Sequence, residues 1–363
     1  MLLSLIALSA LFVAAGFFNQ VFVEHEREIA QDWYRRGEEE LKAGRAEAAL
    51  DPLRTALVYS RNKPDYELRL GQALVEAQHY AEAKTYLLTL WQRQPGSAEL
   101  NLELARLAAR EGNVSDAIHD YEASLYGVWE SNGEQQRRAA RRELIQYLLT
   151  HGRTAEAVAH TMSYAANLPP DPELHVHAGE MFLMEESNDH AAEQFREVLA
   201  VAPHNAAALA GAGRAAFALG DYAGAENYLE RANRAEPGDK TVMDTLAVAR
   251  AVRSLDPNAA ELSARARGER AMHGFTLVRG RLAACGVPGN ASAAAALAAV
   301  SARGKDLEPK LRRNKLARDM DLFSTTVNFV FDAERAATAA CGPGSVDDRA
   351  LMLLAARRPG GGQ

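Results

Sequence analysis

Residues 206–237 read AAALAGAGRAAFALGDYAGAENYLERANRAEP, and they contain the pattern from which the fold can be predicted. Gly213 stands in a first helical segment, and Ala225 stands twelve positions later in a second one. Gly220 separates the two segments, and Pro237 closes the stretch. Glycine can end a helix by adopting a positive φ, whereas proline cannot continue one. The pattern therefore predicts two helices joined by a tight turn, that is, a helical hairpin.

The hairpin pattern recurs along the chain at a constant step, which is longer only once, between the third and fourth copies. A "small column" in the first helix holds Gly37, Gly71, Ala105, Ile145, Gly179 and Gly213. An "alanine column" in the second helix holds Ala49, Ala83, Ala117, Ala157, Ala191 and Ala225. Four positions further on, a "filler column" holds Leu53, Leu87, Tyr121, Thr161, Phe195 and Leu229. Small residues let paired helices approach closely, and the fillers occupy the space between hairpins; Ile145 and Thr161 break this rule, so we expect the fourth hairpin to pack more openly.

This periodic pattern resembles the tetratricopeptide repeat (TPR) superfamily over residues 30–250, with six repeats and a seventh first helix at 240–253. The resemblance implies an all-α fold in which hairpins stack into a right-handed superhelix, capped by the seventh helix. It also implies that the first helix of each hairpin lines a concave groove. The ninth repeat position then gives a "groove column" of Glu38, Gln72, Arg106, Gln146, Glu180 and Arg214. These long polar side chains suit hydrogen bonds to a partner protein or peptide, but they suit an unoccupied solvated face equally well.

The one longer step comes from a short insertion within 126–138, a segment that contains Trp129. Two interpretations stay open for this tryptophan. It either anchors an interface with a partner or covers the irregular fourth hairpin from within the loop.

The sequence from Met1 to Val23 contains no charged side chain. A helix of this length rises about 34 Å, which is enough to cross a bilayer core of about 30 Å. We therefore expect residues 1–23 to be a transmembrane anchor. A cleaved signal segment is the alternative, because small residues at 13–15 could precede a cut, although no basic residue precedes the apolar run. The charges behind it do not orient the span.

Periodicity stops near residue 253, so we expect a TPR solenoid at 24–253, a small C-terminal helical bundle at 254–358 and a disordered tail at 359–363. Within the bundle, Ser345 and Asp348 have the spacing of a capping box for the last helix. Cys285 and Cys341, the only cysteines, each follow two alanines and precede a glycine that suits a helix end.

The matched setting of Cys285 and Cys341 predicts a disulfide that closes the long loop between them. Closing such a loop stabilises by about 4 kcal/mol on the chain-entropy model, and it requires an oxidising compartment. Two free buried thiols are the alternative.

The net charge of −7 gives no basic footprint for nucleic acid. No motif for catalysis, phosphate binding or metal binding is present, so we expect no enzyme activity, no cofactor and no metal. The C-terminal segment is similar to bacterial envelope TPR proteins. We therefore expect a protein-interaction scaffold anchored in the inner membrane, with its TPR domain in the periplasm. The alternatives are a cytoplasm-facing membrane adaptor with free thiols and an enzyme whose active site lies in the C-terminal bundle.

Overall fold

A computed structural model describes residues 2–286 and 291–357, apart from the side chains of residues 2–11, 13–15, 18 and 19. The tail predicted at 359–363 lies outside the described residues. The helices of the first half are α1 Leu2–Lys42, α2 Ala46–Tyr59, α3 Pro64–Glu76, α4 Tyr80–Arg93, α5 Ala98–Arg110, α6 Val114–Tyr126, α7 Gly133–Thr150 and α8 Thr154–Ala165. Those of the second half are α9 Pro172–Met184, α10 Asn188–Val201, α11 Ala206–Ala218, α12 Tyr222–Ala235, α13 Lys240–Leu255, α14 Ala264–Ala284, α15 Ala291–Leu307, α16 Arg313–Leu316, α17 Met320–Cys341 and α18 Val346–Ala356. The described chain is therefore all-α, as the sequence predicts.

The chain divides into two compact units, Met1–Tyr164 and Ala165–Gln363. In the second unit, one hydrophobic core contains Leu209 of α11, Val252 of α13 and Leu351 of α18. The last repeat helices thus share their core with the C-terminal helices. The boundaries expected at residues 23 and 253 stay predictions.

Helix α1 extends without interruption from Leu2 into the first repeat. Within residues 2–286 and 291–357, no helix combines the length and the apolar character needed to cross a membrane. The transmembrane anchor expected at 1–23 is therefore not supported. Met1 and most side chains of residues 2–19 lie outside the description.

The small column and the filler column meet in the four hairpins whose small column holds glycine. A Cβ atom added to Gly37 would lie 2.5 Å from Cγ of Leu53, and one added to Gly213 would lie 2.5 Å from Cγ of Leu229. Two further pairs have the same relation: Gly71 with Leu87, and Gly179 with Phe195. The absence of a Cβ is therefore what lets the paired helices approach.

The fourth hairpin exchanges the sizes of the two columns. Ile145 is 1% exposed and Thr161 is fully buried. The large residue stands in the small column and the small residue in the filler column, so the total volume is roughly kept. The more open packing that we expected is not seen at these two positions.

The turns inside the hairpins adopt a positive φ at one recurring position. Gly44, Gly112, Gly152 and Gly220 have φ of 71°, 76°, 71° and 77°. The same position in the other two hairpins holds Gln78 and Glu186, with φ of 65° and 58°. Only glycine adopts this conformation at low cost, so these two turns carry backbone strain.

The inserted loop after α6 is tied to an earlier turn. The backbone N–H of Val128 donates to the carbonyl of Gly96 at 2.9 Å, and that of Ala98 donates to the carbonyl of Val128 at 3.0 Å. Trp129 follows directly and is 8% exposed. Its burial favours the interpretation that this side chain covers the hairpins rather than anchoring a partner.

Candidate partner-binding groove

The groove column of the first unit takes part in a polar network that links successive first helices. It begins with Glu38 of α1, whose Oε1 accepts a hydrogen bond from Nη2 of Arg69 on α3 at 2.8 Å. Nη1 of Arg69 donates to Oε1 of Gln72 at 2.6 Å. Glu38 is thus tied to Gln72 through Arg69, a side chain on the first helix of the next hairpin.

The network continues from α3 to α7. Nε2 of Gln72 donates to Oε1 of Glu103 on α5 at 2.8 Å. Arg106 donates to the same oxygen at 2.6 Å and, through Nε, to Oε2 of Glu143 at 2.9 Å. We call this set, from Glu38 to Glu143, the polar ladder.

Within the polar ladder, the buried carboxylate of Glu103 is paired with the guanidinium of Arg106. Glu103 is 3% exposed, and burial raises its pKa, while Arg106 and Gln72 oppose that rise. Burial also disfavours the charge of Arg106, but the hydrogen bonds to Glu143 and the charge of Glu103 outweigh this effect and raise the pKa of the guanidinium. Glu38, Gln72 and Arg106 therefore already have partners within the chain, and their contact with another protein stays a prediction. Gln146, on α7, is exposed.

The columns defined from the sequence do not include Arg69, Glu103 and Glu143. They stand three positions before Gln72, Arg106 and Gln146 respectively, so they repeat in step with the groove column. Residues three apart lie on one helix face. The signal was therefore present as a second polar column next to the groove column.

The groove column of the second unit is more loosely paired. Nη2 of Arg214 lies 3.9 Å from Oε1 of Glu180, which is too far for a hydrogen bond. Both side chains line a cavity of about 340 Å³. The rest of its lining comes from α11, the end of α12 and the start of α13: Ala206, Ala207, Ala210, Ala232, Glu236, Asp239, Thr241 and Val242.

A second cavity, of about 540 Å³, lies against the next stretch of α11 and α13. Its lining comprises Phe217, Asp244, Thr245, Val248, Thr338, Pro343, Gly344, Asp348, Arg349, Met352, Leu353 and Ala356. Val248 stands one repeat step after Arg214, so it is the groove-column residue of the seventh first helix. Helix α18 packs beside it, and Arg349 of α18 donates to both carboxylate oxygens of Asp244, at 2.6 and 2.8 Å. The chain's own last helix thus lies over the end of the groove column.

The two cavities follow each other along the same pair of first helices. On α11, Arg214 lines the first and Phe217 the second; on α13, Thr241 lines the first and Asp244 the second. Each pair is separated by less than one helical turn. We call these two neighbouring cavities together the α11–α13 trough, with an acidic end at Glu180 and an apolar end at Phe217.

A disulfide joins Cys285 and Cys341, whose Cα atoms are 5.9 Å apart. Cys285 directly follows the last residue of α14, and Cys341 is the last residue of α17. The pairing is the one expected from the sequence, and it fixes the ends of these two helices side by side.

A buried ionic cluster that the sequence analysis did not find adjoins the disulfide. Arg281 of α14 donates to Oδ2 of Asp348 at 2.6 Å, to the carbonyl of Gly342 at 2.7 Å and to Oγ1 of Thr338 at 3.2 Å. Its Nε also lies 3.1 Å from Oε1 of Glu334. Burial raises the pKa of Glu334 to about 7, although the charge of Arg281 opposes the rise. No sequence motif indicates this cluster, because its members come from three different helices.

In the described parts of the chain, no group of three or more His, Cys, Asp or Glu side chains is placed to hold a metal ion. Tetratricopeptide repeat models match residues 68–135 and 182–247. The chain contains TPR repeats. No curated protein matches it.

Several solved TPR structures are similar to the chain at low identity. PilF of Pseudomonas aeruginosa is 16% identical, with 61% of this chain and 97% of that one covered and a TM-score of 0.42. The C-terminal part of a TPR repeat-containing protein from Cytophaga hutchinsonii is 17% identical, with 65% and 93% covered and a TM-score of 0.47. PilW, a type IV pilus biogenesis factor, is 15% identical, with 60% and 98% covered and a TM-score of 0.41.

Proposed function

We propose that this TPR chain is a non-enzymatic scaffold that binds a segment of a partner protein along its first helices. The observation that carries the proposal is the α11–α13 trough. Its two cavities lie along the groove-column face of α11 and α13, and each has a volume within or near the range of ligand sites. Stacked helical repeats provide extended binding surfaces of this kind.

The partner-binding proposal can be tested by site-specific photo-crosslinking in cells. A photoreactive residue is placed at Thr241, which is exposed and lines the trough, or at Met243 on the same helix, which is exposed but does not line it. We expect an adduct with another protein from position 241 and none from position 243. Equal labelling from both positions, or none from either, would contradict the proposal.

The proposal also places the scaffold in the periplasm, attached to the inner membrane through residues 1–23. The disulfide between Cys285 and Cys341 supports an oxidising compartment. The attachment rests on the uncharged, apolar sequence of residues 1–23. A cytoplasm-facing adaptor with free thiols is the alternative.

Thiol labelling in intact cells separates these two placements. A membrane-impermeant maleimide is added to cells with or without prior reduction. Labelling of Cys285 and Cys341 only after reduction is expected for the periplasmic scaffold. Labelling only after lysis, without any reductant, would overturn the placement and favour the cytoplasmic adaptor.

A further inference from the structure

The acidic end of the trough has space and an excess of carboxylates. Ala206, Ala207 and Ala210 line it, and their short side chains occupy little of its volume. Three carboxylates border it against one guanidinium, those of Glu180, Glu236 and Asp239 against Arg214.

Among the residues that line the cavity, Glu180 has only a loose ion pair with Arg214, at 3.9 Å, and no ion pair forms with Glu236. Glu180 and Glu236 are exposed, and Glu180 is too far from Arg214 for a hydrogen bond. Asp239, in contrast, caps α13 by accepting from the backbone N–H groups of Thr241 and Val242. The acidic end therefore favours a cationic group over a neutral or anionic one.

The apolar end offers a different environment. The lining of this cavity of about 540 Å³ includes the apolar side chains of Phe217, Val248, Met352 and Leu353. Its charged border is already paired. Asp244 and Arg349 pair with each other through two hydrogen bonds, and Asp348 accepts a hydrogen bond from Arg281. A large apolar side chain placed here would be removed from water, at a gain of about 25 cal/mol for each Å² buried.

Helix α18 shows which pattern of side chains the trough accommodates. Its Arg349 pairs with Asp244, and its Met352 and Leu353, three and four positions later, face the apolar end. A basic residue followed by apolar residues thus already lies against the face of α13 that continues the groove column.

The spacing of the two ends sets the spacing of the side chains that they would take. Ala210 and Phe217 are seven positions apart on α11, which corresponds to about 10 Å along the helix axis. An extended chain covers this distance in about three residues.

We propose that the trough binds an extended segment of a partner protein in which a basic side chain and a large apolar side chain stand about three positions apart. The basic group lies among Glu180 and Glu236, and the apolar group packs against Phe217 and Met352. This inference rests on the proposed function of the trough as a partner-binding site, and it adds the chemistry of the partner.

The test uses the full-length purified chain on an array of synthetic decapeptides in a glycine-serine background. Each peptide carries one arginine and one leucine, in either order, separated by one to six positions. Matched peptides replace arginine by glutamate or leucine by serine. We expect the strongest binding at a separation of three, with each replacement weakening it about tenfold, because about 1.4 kcal/mol corresponds to a factor of ten.

Variants of the protein test whether residues of the trough recognise the arginine and the leucine of the peptides. Glu180→Gln combined with Glu236→Gln should weaken binding of the arginine peptide about fivefold, a loss typical of exposed charge pairs, whereas Glu173→Gln on the same helix as Glu180 should not change it. Met352→Gln should weaken binding through the leucine, and Met243→Gln on the outside of α13 should not. Thermal melts of all four variants check that each is folded at the temperature of the binding measurement.

The outcomes separate this inference from the function on which it rests. If peptides without a basic residue bind as tightly as those with one, the partner chemistry is wrong. If no array peptide binds while position 241 still forms its adduct in cells, the inference also fails and the scaffold function stands. If both the array and the adduct are negative, the two fail together.

Discussion

Nε of Arg281 lies 3.1 Å from Oε1 of Glu334, a carboxylate that is fully buried in the second unit. The same guanidinium also donates hydrogen bonds to Asp348, to Thr338 and to the carbonyl of Gly342. One cation is therefore shared among several acceptors, which leaves Glu334 only partly compensated. Its raised pKa has a consequence for stability.

The stability of the second unit should fall as the pH rises through the range in which Glu334 ionises. In the folded chain its pKa is about 7, whereas its ordinary value is 4.5. Between these values the folded state binds more protons than the unfolded state, so the free energy of unfolding decreases with pH. The contribution of Glu334 to the free energy of unfolding is fully present below about pH 4.5 and is lost as the pH rises to about 7. Above that pH, the free energy of unfolding no longer changes through this group.

Glu334→Gln provides the matched comparison, because an amide keeps the shape and cannot ionise. The difference in unfolding free energy between the natural chain and this variant should change by up to about 1.4 kcal/mol per pH unit between about pH 5 and 7. Denaturant titrations at several pH values measure it. A difference that does not vary with pH would show that Glu334 does not titrate in this range.

Removing the disulfide should destabilise the second unit. The two cysteines are 56 positions apart, and on the chain-entropy model a loop of this size is worth about 4 kcal/mol. The double variant Cys285→Ser with Cys341→Ser should therefore melt well below the oxidised chain. In the presence of reductant, the natural chain should have the same melting temperature as the variant. A variant that is as stable as the oxidised chain would contradict this prediction.

Exchanging two turn residues should change stability in opposite directions. Gln78→Gly removes the strain of a positive φ and should stabilise by about 1 kcal/mol, whereas Gly112→Gln introduces it and should destabilise by a similar amount. A Cβ at Gly112 would meet no other atom within 4 Å, so the backbone conformation alone decides the effect. Thermal melts of both variants test this, and changes of the same sign would contradict it.

The sixth hairpin should tolerate the exchange of large and small residues that is found in the fourth hairpin. Gly213→Ile alone forces a side chain into Leu229 and should cost about 3 kcal/mol. Adding Leu229→Thr creates the combination found at Ile145 and Thr161 and should recover most of that loss. Urea midpoints of the single and double variants give the coupling between the two sites. Additive losses would mean that the columns do not compensate each other.

Breaking the polar ladder should destabilise the first unit. Arg106→Gln leaves the buried carboxylate of Glu103 without its cationic neighbour, which should cost about 3 kcal/mol. Arg110→Gln changes an exposed arginine one turn later on the same helix and should have little effect. Circular dichroism melts distinguish the two, and equal stabilities would show that the ladder contributes nothing net.

The local parts of this fold could be predicted from the sequence. Ser345 and Asp348 form the capping box that their spacing indicates, and Gly213 meets Leu229 as the columns imply. These relations recur at short, fixed separations, so periodicity reveals them. Asp348 also accepts from Arg281, which is 67 positions away, and no repeat connects those two residues.

The candidate site could be predicted only in part. The groove column located Glu180 and Arg214 on first helices, but it did not reveal that Glu38, Gln72 and Arg106 are engaged by neighbouring helices. Whether a polar side chain is available depends on the distance to its nearest counter-charge. That distance is set by how hairpins stack, which a single sequence does not encode locally.

The seating of α18 on α13 restricts how the array could grow by duplication. Helix α13 has two roles, because it continues the repeat register and also holds Arg349 through Asp244. The end of α18 also reaches the sixth hairpin, because Arg357 donates to the carbonyl of Gly220. An extra hairpin inserted before α11 preserves all of these contacts, since hairpins contact only their neighbours. A copy inserted after α13 would separate it from α18 and leave Val248 uncovered. Lineages of this protein that differ in repeat number should therefore have gained or lost hairpins upstream of residue 206, with the sixth hairpin, α13 and the disulfide-bonded end inherited together.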